Sequence, residues 1–143
     1  MSATAGQIVA VRPAGPADAG RLSELLGQLG YPTEKDEVHR RLEVADGVLV
    51  ASLGREVAGM LALAIVPVLH EDGPWCRITA LVVDGRHRRA GVGAALLDAA
   101  ERHACAAGCS RIEATSAIGR RDAHGFYRQR GFREVSSHFM KPL

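Results

Sequence analysis

The sequence predicts an α/β fold, a mixed sheet with helices on its faces. Three observations predict it. Short apolar runs rich in Val, Ile and Leu alternate with segments at helical spacing. Glycine and proline punctuate the boundaries between them. The stretch from Arg77 to Thr115 reads strand, helix, strand, which the right-handed crossover rule makes a parallel β-α-β unit. A chain of 143 residues is expected to hold one domain, spanning 1–143, with residues 1–6 as a flexible tail.

The elements follow in order. Ile8 to Arg12 is a short apolar strand ending before Pro13. Asp18 to Gly30 carries Leu22, Leu25, Leu26 and Leu29 at helical spacing, with Gly30 as the stop. Thr33, with Asp36 three residues on, is expected to cap a second helix running to about Ala45. Val48 to Leu53 and Val57 to Ile65 flank Gly54-Arg55, a hairpin signal. Arg77 to Val83 is nearly uniformly apolar at its end, as a buried central strand would be. Gly91 to Ala107 is rich in alanine and leucine and stops at Gly108, which predicts a helix. Arg111 to Thr115 is a strand, and Asp122 is expected to cap a short helix from Ala123 to Arg130. Phe132 to Lys141, partly alternating, is the last expected strand.

Composition narrows the function classes. The longest apolar run, Met60 to Leu69, is too short to span a bilayer and contains Pro67, so no membrane partner is expected. The N-terminus lacks the pattern of a secretory signal. Three cysteines do not suggest a disulfide framework, so a reducing, cytoplasmic setting is expected. Cys105 and Cys109 stand one helical turn apart, a spacing that reads as helix packing, and no metal is expected. A net charge of +2 is too small to signal a nucleic-acid binder. Positive charge is instead local, at Arg86-His87-Arg88-Arg89 and Arg120-Arg121, which suits a small polyanion.

The strand ending at Val83 feeds this basic turn, and the turn opens a helix. A helix start exposes unpaired N–H groups and partial positive charge. Gly91 and Gly93 let an anion approach those groups, and Arg88 and Arg89 add formal charge beside them. The combination specifies a phosphate or diphosphate site. A Walker A loop fails, because Gly85 is followed by Ala90-Gly91-Val92 at the decisive positions. A dinucleotide fingerprint fails too, because Leu96 stands where a third small residue is needed.

Arg88-Arg89-Ala90-Gly91-Val92-Gly93 resembles the acetyl-CoA signature [RQ]-x-x-G-x-[GA] of the GNAT N-acetyltransferase superfamily through Arg88, Gly91 and Gly93. Leu81-Val82-Val83 is similar to that family's pantetheine-binding strand. The resemblance implies a splayed, mainly antiparallel sheet of six to seven strands flanked by about four helices, with acetyl-CoA as co-substrate in the gap. Backbone groups of Leu81 and Val83 would bond the pantetheine arm. Amides of Arg89, Ala90, Gly91, Val92, Gly93 and Ala94 would take the pyrophosphate.

A second stretch, Asp122 to Phe132, is similar to the family's A-x-x-F-Y-x-x-x-G-[FY] motif at Ala123, Phe126, Tyr127, Gly131 and Phe132. The resemblance makes Tyr127 the candidate catalytic acid, since a phenol with pKa near ~10 can protonate a departing thiolate. His124, three residues earlier on the same helical face, is a candidate cofactor contact or a surface histidine. Many family members carry a Glu near the position of Ala80, which this chain lacks. A water chain, His70, Glu71, Asp72 or His138 would have to deprotonate the amine. Arg120 stands where the family often has asparagine.

The ending, Arg121-Asp122-Ala123-His124-x-Phe126-Tyr127 through Ser137-His138-Phe139, resembles the branch that contains aminoalkylphosphonate N-acetyltransferases. That implies a small-molecule amine acceptor, for which residues 28–40 and 66–76 are the expected wall. No serine or cysteine nucleophile motif is present, so direct transfer in a ternary complex is expected. Small proteins of this architecture often pair through sheet edges, so a homodimer is the expected assembly. A protein- or tRNA-linked amine, a non-catalytic CoA sensor and a nucleic-acid-binding domain are the alternatives.

Overall fold

The computed structural model of the chain describes residues 8–115, 121–136 and 138–143. The expected tail 1–6 and Arg120 lie outside the described residues. The elements are β1 (Val9–Pro13), α1 (Ala19–Leu29), α2 (Lys35–Leu42), β2 (Gly47–Leu53), β3 (Glu56–Val66), β4 (Trp75–Val83), α3 (Val92–Ala106), β5 (Arg111–Ala114) and α4 (Arg121–Gln129). Single 3-10 turns cover Pro16–Asp18 and Gly85–His87.

The strands form one sheet in the order β1-β2-β3-β4-β5. The first three pairings are antiparallel and β4 with β5 is parallel, as the crossover through α3 requires. The β2–β3 hairpin closes over Gly54-Arg55 with Leu53 opposite Glu56. Period-2 alternation then splits the side chains between two cores. Leu49, Ala51, Leu61, Leu63, Cys76 and Ile78 meet Val92, Leu96, Leu97 and Ala100 of α3 on one face. Val50, Val57, Met60 and Val82 meet Leu22 and Leu25 of α1 and Val38 of α2 on the other.

Three expectations are corrected. Thr33 does not cap α2; Glu34 holds the N-cap position, and the Thr33 hydroxyl donates to the Tyr31 carbonyl. The short last helix starts at Arg121, so Asp122 lies within its first turn rather than ahead of it. The sheet has five strands, not six to seven, because Phe132–Lys141 forms no strand among its described residues. Val135, Phe139 and Met140 there are exposed. Alternation alone does not make a strand; a neighbouring strand must accept the backbone ladder, and the described sheet ends at β5.

Candidate functional site

The site begins with one extra residue in β4. Ala62 pairs with Ala80 and Leu63 pairs with Ile78, so Thr79 is a bulge. The bulge reverses the side-chain phase: Cys76 and Ile78 face α3 before it, while Ala80 and Val82 face α1 after it. It also marks where the sheet parts. β5 pairs with Trp75–Ile78, so Thr79–Val83 keeps β3 on one edge and, among the described residues, has no strand on the other, a length of roughly 16 Å.

The hydrogen-bond phase along this edge is set by one bond. The Asp84 N–H donates to the Ala58 carbonyl at 2.8 Å. In an antiparallel ladder this makes Val82 a bonded partner of Met60, with Leu81 and Val83 turned the other way. The Val82 carbonyl accordingly lies 3.0 Å from where a Cβ on Gly59 would stand, which places it against β3. Leu81 and Val83 therefore aim their N–H and C=O groups into the gap. Val82 does not: its backbone faces β3 and its side chain is buried toward α1.

Beyond Val83 the chain makes a 3-10 turn and then a concave stretch of amides. Arg88 is extended, at φ −65° and ψ 149°. Arg89 follows at φ +66°, in the left-handed region that a side chain rarely enters, and Gly91 sits at φ +82° as the N-cap of α3. The left-handed state costs a non-glycine residue about 1–2 kcal/mol. The two left-handed residues turn the chain sharply into the first turn of α3. No side chain caps α3, so the N–H groups of Val92, Gly93 and Ala94 have no helical acceptor. The side chains of Arg88 and Arg89 are exposed, Ala90 is half-buried, and Val92 is buried against the sheet. The predicted cradle is thus assembled from backbone, with two cations beside it and a helix dipole behind it.

Helix α4 lies beside the first turn of α3. A Cβ on Gly93 would stand 3.5 Å from the Phe126 ring and 3.6 Å from Val83 Cγ2. Arg130, just past α4, donates to Asp98 of α3 at 2.8 Å. The left-handed Gly131 reverses the chain, so that the Phe132 N–H donates to the Tyr127 carbonyl. Tyr127 is left between Phe126 and Phe132, ring centroids 5.4 and 5.3 Å away, both edge-on. Burial raises the Tyr127 phenol above its ordinary pKa, so it keeps its proton at neutral pH. Among the described residues nothing hydrogen-bonds its hydroxyl. His124, one turn earlier, is half-buried and likewise bonds no described side chain.

The residues expected to deprotonate the amine are not gathered here. Glu71 accepts from Trp75 Nε1 at 2.6 Å and pairs with Arg111, which also lies over the Trp75 ring. The Arg111 bond holds the Glu71 carboxyl below its usual range. This cluster stands at the start of β4, while the amide cradle follows its end. His138 is exposed, and its segment joins no strand. Among the described residues no group of three or more His, Cys, Asp or Glu side chains could hold a metal, and no helix is long and apolar enough to cross a membrane.

Sequence reasoning missed a supporting network. Asp84, only 1% exposed, accepts from the Arg86 backbone N–H at 2.9 Å and from the guanidinium groups of Arg21 and Arg86. The bonds from Arg86 and Arg21 hold its carboxyl well below the usual range. An Asp directly after an apolar strand is a capping signal, and Arg21 and Gln28 are seven apart on one face of α1. Their partner across the fold leaves no local trace.

Comparison with known proteins agrees with this geometry. Residues 21–132 match the model of the acetyltransferase (GNAT) family. Over 106 residues the chain is 36% identical to the aminoalkylphosphonate N-acetyltransferase of Salmonella typhimurium; that stretch is 74% of this chain and 64% of the relative, so the match spans less than two thirds of the relative's length. Among solved structures, a transcriptional regulator from Bacillus halodurans superposes with a TM-score of 0.86 at 25% identity, covering 95% of this chain and 100% of that one. AAC(6')-Iy, solved in complex with the bisubstrate analog CoA-S-monomethyl-acetylneamine, superposes at 0.82 with 17% identity, covering 95% of this chain and 98% of that one, and so shares the fold. With the parted ladder, the amide cradle and both motifs in place, the chain belongs to the acetyltransferase (GNAT) family.

Proposed function

We propose that this chain is an acetyl-CoA-dependent N-acetyltransferase that acetylates the primary amine of a small molecule by direct attack in a ternary complex. The observation that carries the reading is the open edge of β4 running straight into the amide cradle. A thioester nucleotide needs both: a ladder edge for its amide-bearing arm and an anion nest for its diphosphate. Acetyl-CoA supplies the activated acyl carbon.

The chain's residues divide the remaining work. Leu81 and Val83 hold the pantetheine arm as an added strand would be held. Amides of Arg89, Ala90, Gly91, Val92, Gly93 and Ala94 take the diphosphate, with Arg88 and Arg89 adding charge. Val92 acts through its N–H alone, since its side chain is core. His124 is available to the same ligand from α4. As the C–N bond forms and the C–S bond breaks, Tyr127 gives its proton to the departing sulfur and regains one from water. Its burial between two phenylalanine rings keeps that proton in place until then. Ala80 offers no carboxylate and Glu71 is engaged by Arg111, so water removes the amine's proton.

The Salmonella typhimurium relative is an aminoalkylphosphonate N-acetyltransferase, which makes small amines with an anionic tail the first acceptors to try. The test is thiol release from acetyl-CoA across aminophosphonates, polyamines, amino acids and aminoglycosides, beside calorimetric titration with CoA. Turnover with an aminophosphonate and a binding heat for CoA are expected. No heat with CoA at low ionic strength would overturn the reading.

A further inference from the structure

The amide cradle contains one left-handed residue with a side chain, Arg89, and such a conformation persists only where its surroundings hold it. The turn that leads into it is held from the far side of the sheet from α3. The chain leaves β4 at Asp84, whose buried carboxylate caps the Gly85–His87 turn through the Arg86 N–H. The same carboxylate accepts from Arg21 of α1. Arg21 Nε in turn donates to the Val57 carbonyl at 2.8 Å, which fixes it to the start of β3. Gln28, two turns further along α1, accepts from the Gly85 N–H at 3.0 Å. Glu56 completes the frame by accepting from Arg86 and meeting His87 Nε2 at 3.2 Å. The turn just before the cradle is therefore pinned to α1 and β3.

We infer that Asp84 is the positioning residue of the diphosphate site: with Arg21 and Gln28 it locks the Gly85–His87 turn to α1, so that Arg88–Gly93 enters α3 with its amides already converged. This rests on the acetyl-CoA reading above. A group that pre-organises a nest changes the binding of whatever the nest holds and leaves the rest of the reaction alone.

The experiment compares two thioesters: acetyl-CoA, and S-acetyl-pantetheine, which lacks the diphosphate. Asp84→Ala should raise the KM for acetyl-CoA about tenfold or more with kcat near the unaltered value. Its kcat/KM with S-acetyl-pantetheine should stay at the unaltered level. Asp84→Asn, which keeps an acceptor for the Arg86 N–H, should recover part of the loss. Glu56→Ala removes only an exposed side chain that holds Arg86 and His87 and should show the same selectivity at smaller size, about threefold. It decides the matter if Asp84→Ala does not fold. Equal losses on both thioesters, or unchanged acetyl-CoA kinetics in Glu56→Ala and the Asp84 variants, would overturn the inference while leaving the enzyme reading standing. Absence of CoA binding by the unaltered protein would remove both.

Discussion

Gly59 on β3 is where the proposed site is most tightly built into the fold. A Cβ at Gly59 would stand 2.7 Å from Val92 Cγ1, 3.0 Å from the Val82 carbonyl oxygen and 3.2 Å from Leu96 Cδ1. Carbon atoms prefer about 3.5–4.0 Å, so Gly59→Ala is short of room by about 1 Å. Val92 is β-branched and sits in the first turn of α3, where its χ1 has essentially one choice, so rotation cannot relieve the clash. The Val82 carbonyl is fixed by its ladder. The start of α3 must therefore lift. Overpacking of this kind costs about 1–3 kcal/mol, which for a chain of this size lowers Tm by about 2–12 °C. The same lift displaces the N–H groups of Val92, Gly93 and Ala94 by a distance that matters for a pre-formed site, so CoA affinity should fall about tenfold. Thermal melting and calorimetry with CoA read the two effects. Adding Val92→Ala removes the Cγ1 that the new Cβ would meet, so the double variant should be more stable than the sum of the two single losses by about 1 kcal/mol. A Gly59→Ala protein that melts and binds CoA like the parent would refute the placement of α3 on the sheet.

Further outcomes follow from the same geometry. Tyr127→Phe keeps the ring packing and removes the proton, so kcat should fall about 10²–10⁴-fold with KM for acetyl-CoA little changed; unchanged turnover removes Tyr127 from the chemistry. Because burial raises its pKa, activity should not decline on account of Tyr127 below about pH 10, as a pH–rate profile would show. Arg89→Gly relieves a left-handed side chain and should leave stability equal or higher by up to about 1 kcal/mol in urea titration, while CoA binding weakens and loses part of its salt dependence. The folded Asp84 carboxyl lies below its unfolded value, so its contribution is present above about pH 4 and is lost as pH falls through the folded value. The stability gap between the parent and Asp84→Asn should accordingly narrow from pH 6 toward pH 2; a gap that widens would reverse the sign argued here. Cys105 is exposed, whereas Cys76 is buried with its thiol pushed up to about 11. Iodoacetamide at pH 8 should label Cys105 in the folded protein and reach Cys76 only on unfolding.

The amino-acid sequence alone determined the local parts. Hydrophobic spacing located α1 and α3, Gly54-Arg55 located the hairpin, and a basic, glycine-containing turn after an apolar strand located the uncapped start of α3. Each depends on residues within a few positions of one another, so a pattern along the chain carries it. The expectation that Thr33 caps α2 failed because the helix begins one residue later, with Glu34 in the extended N-cap conformation. The strand expected at Phe132–Lys141 failed because strand formation depends on a neighbour that alternation cannot supply.

Only the tertiary structure decided the rest. That Thr79 is the bulge, that Leu81 and Val83 rather than Val82 face the gap, and that Asp84 is tied to Arg21 are all consequences of register between segments far apart in the chain. Register is set by the summed packing of both sheet faces against α1, α2 and α3, a property no single window contains. The chemistry-bearing residues could be read in one dimension; the direction in which each one points could not.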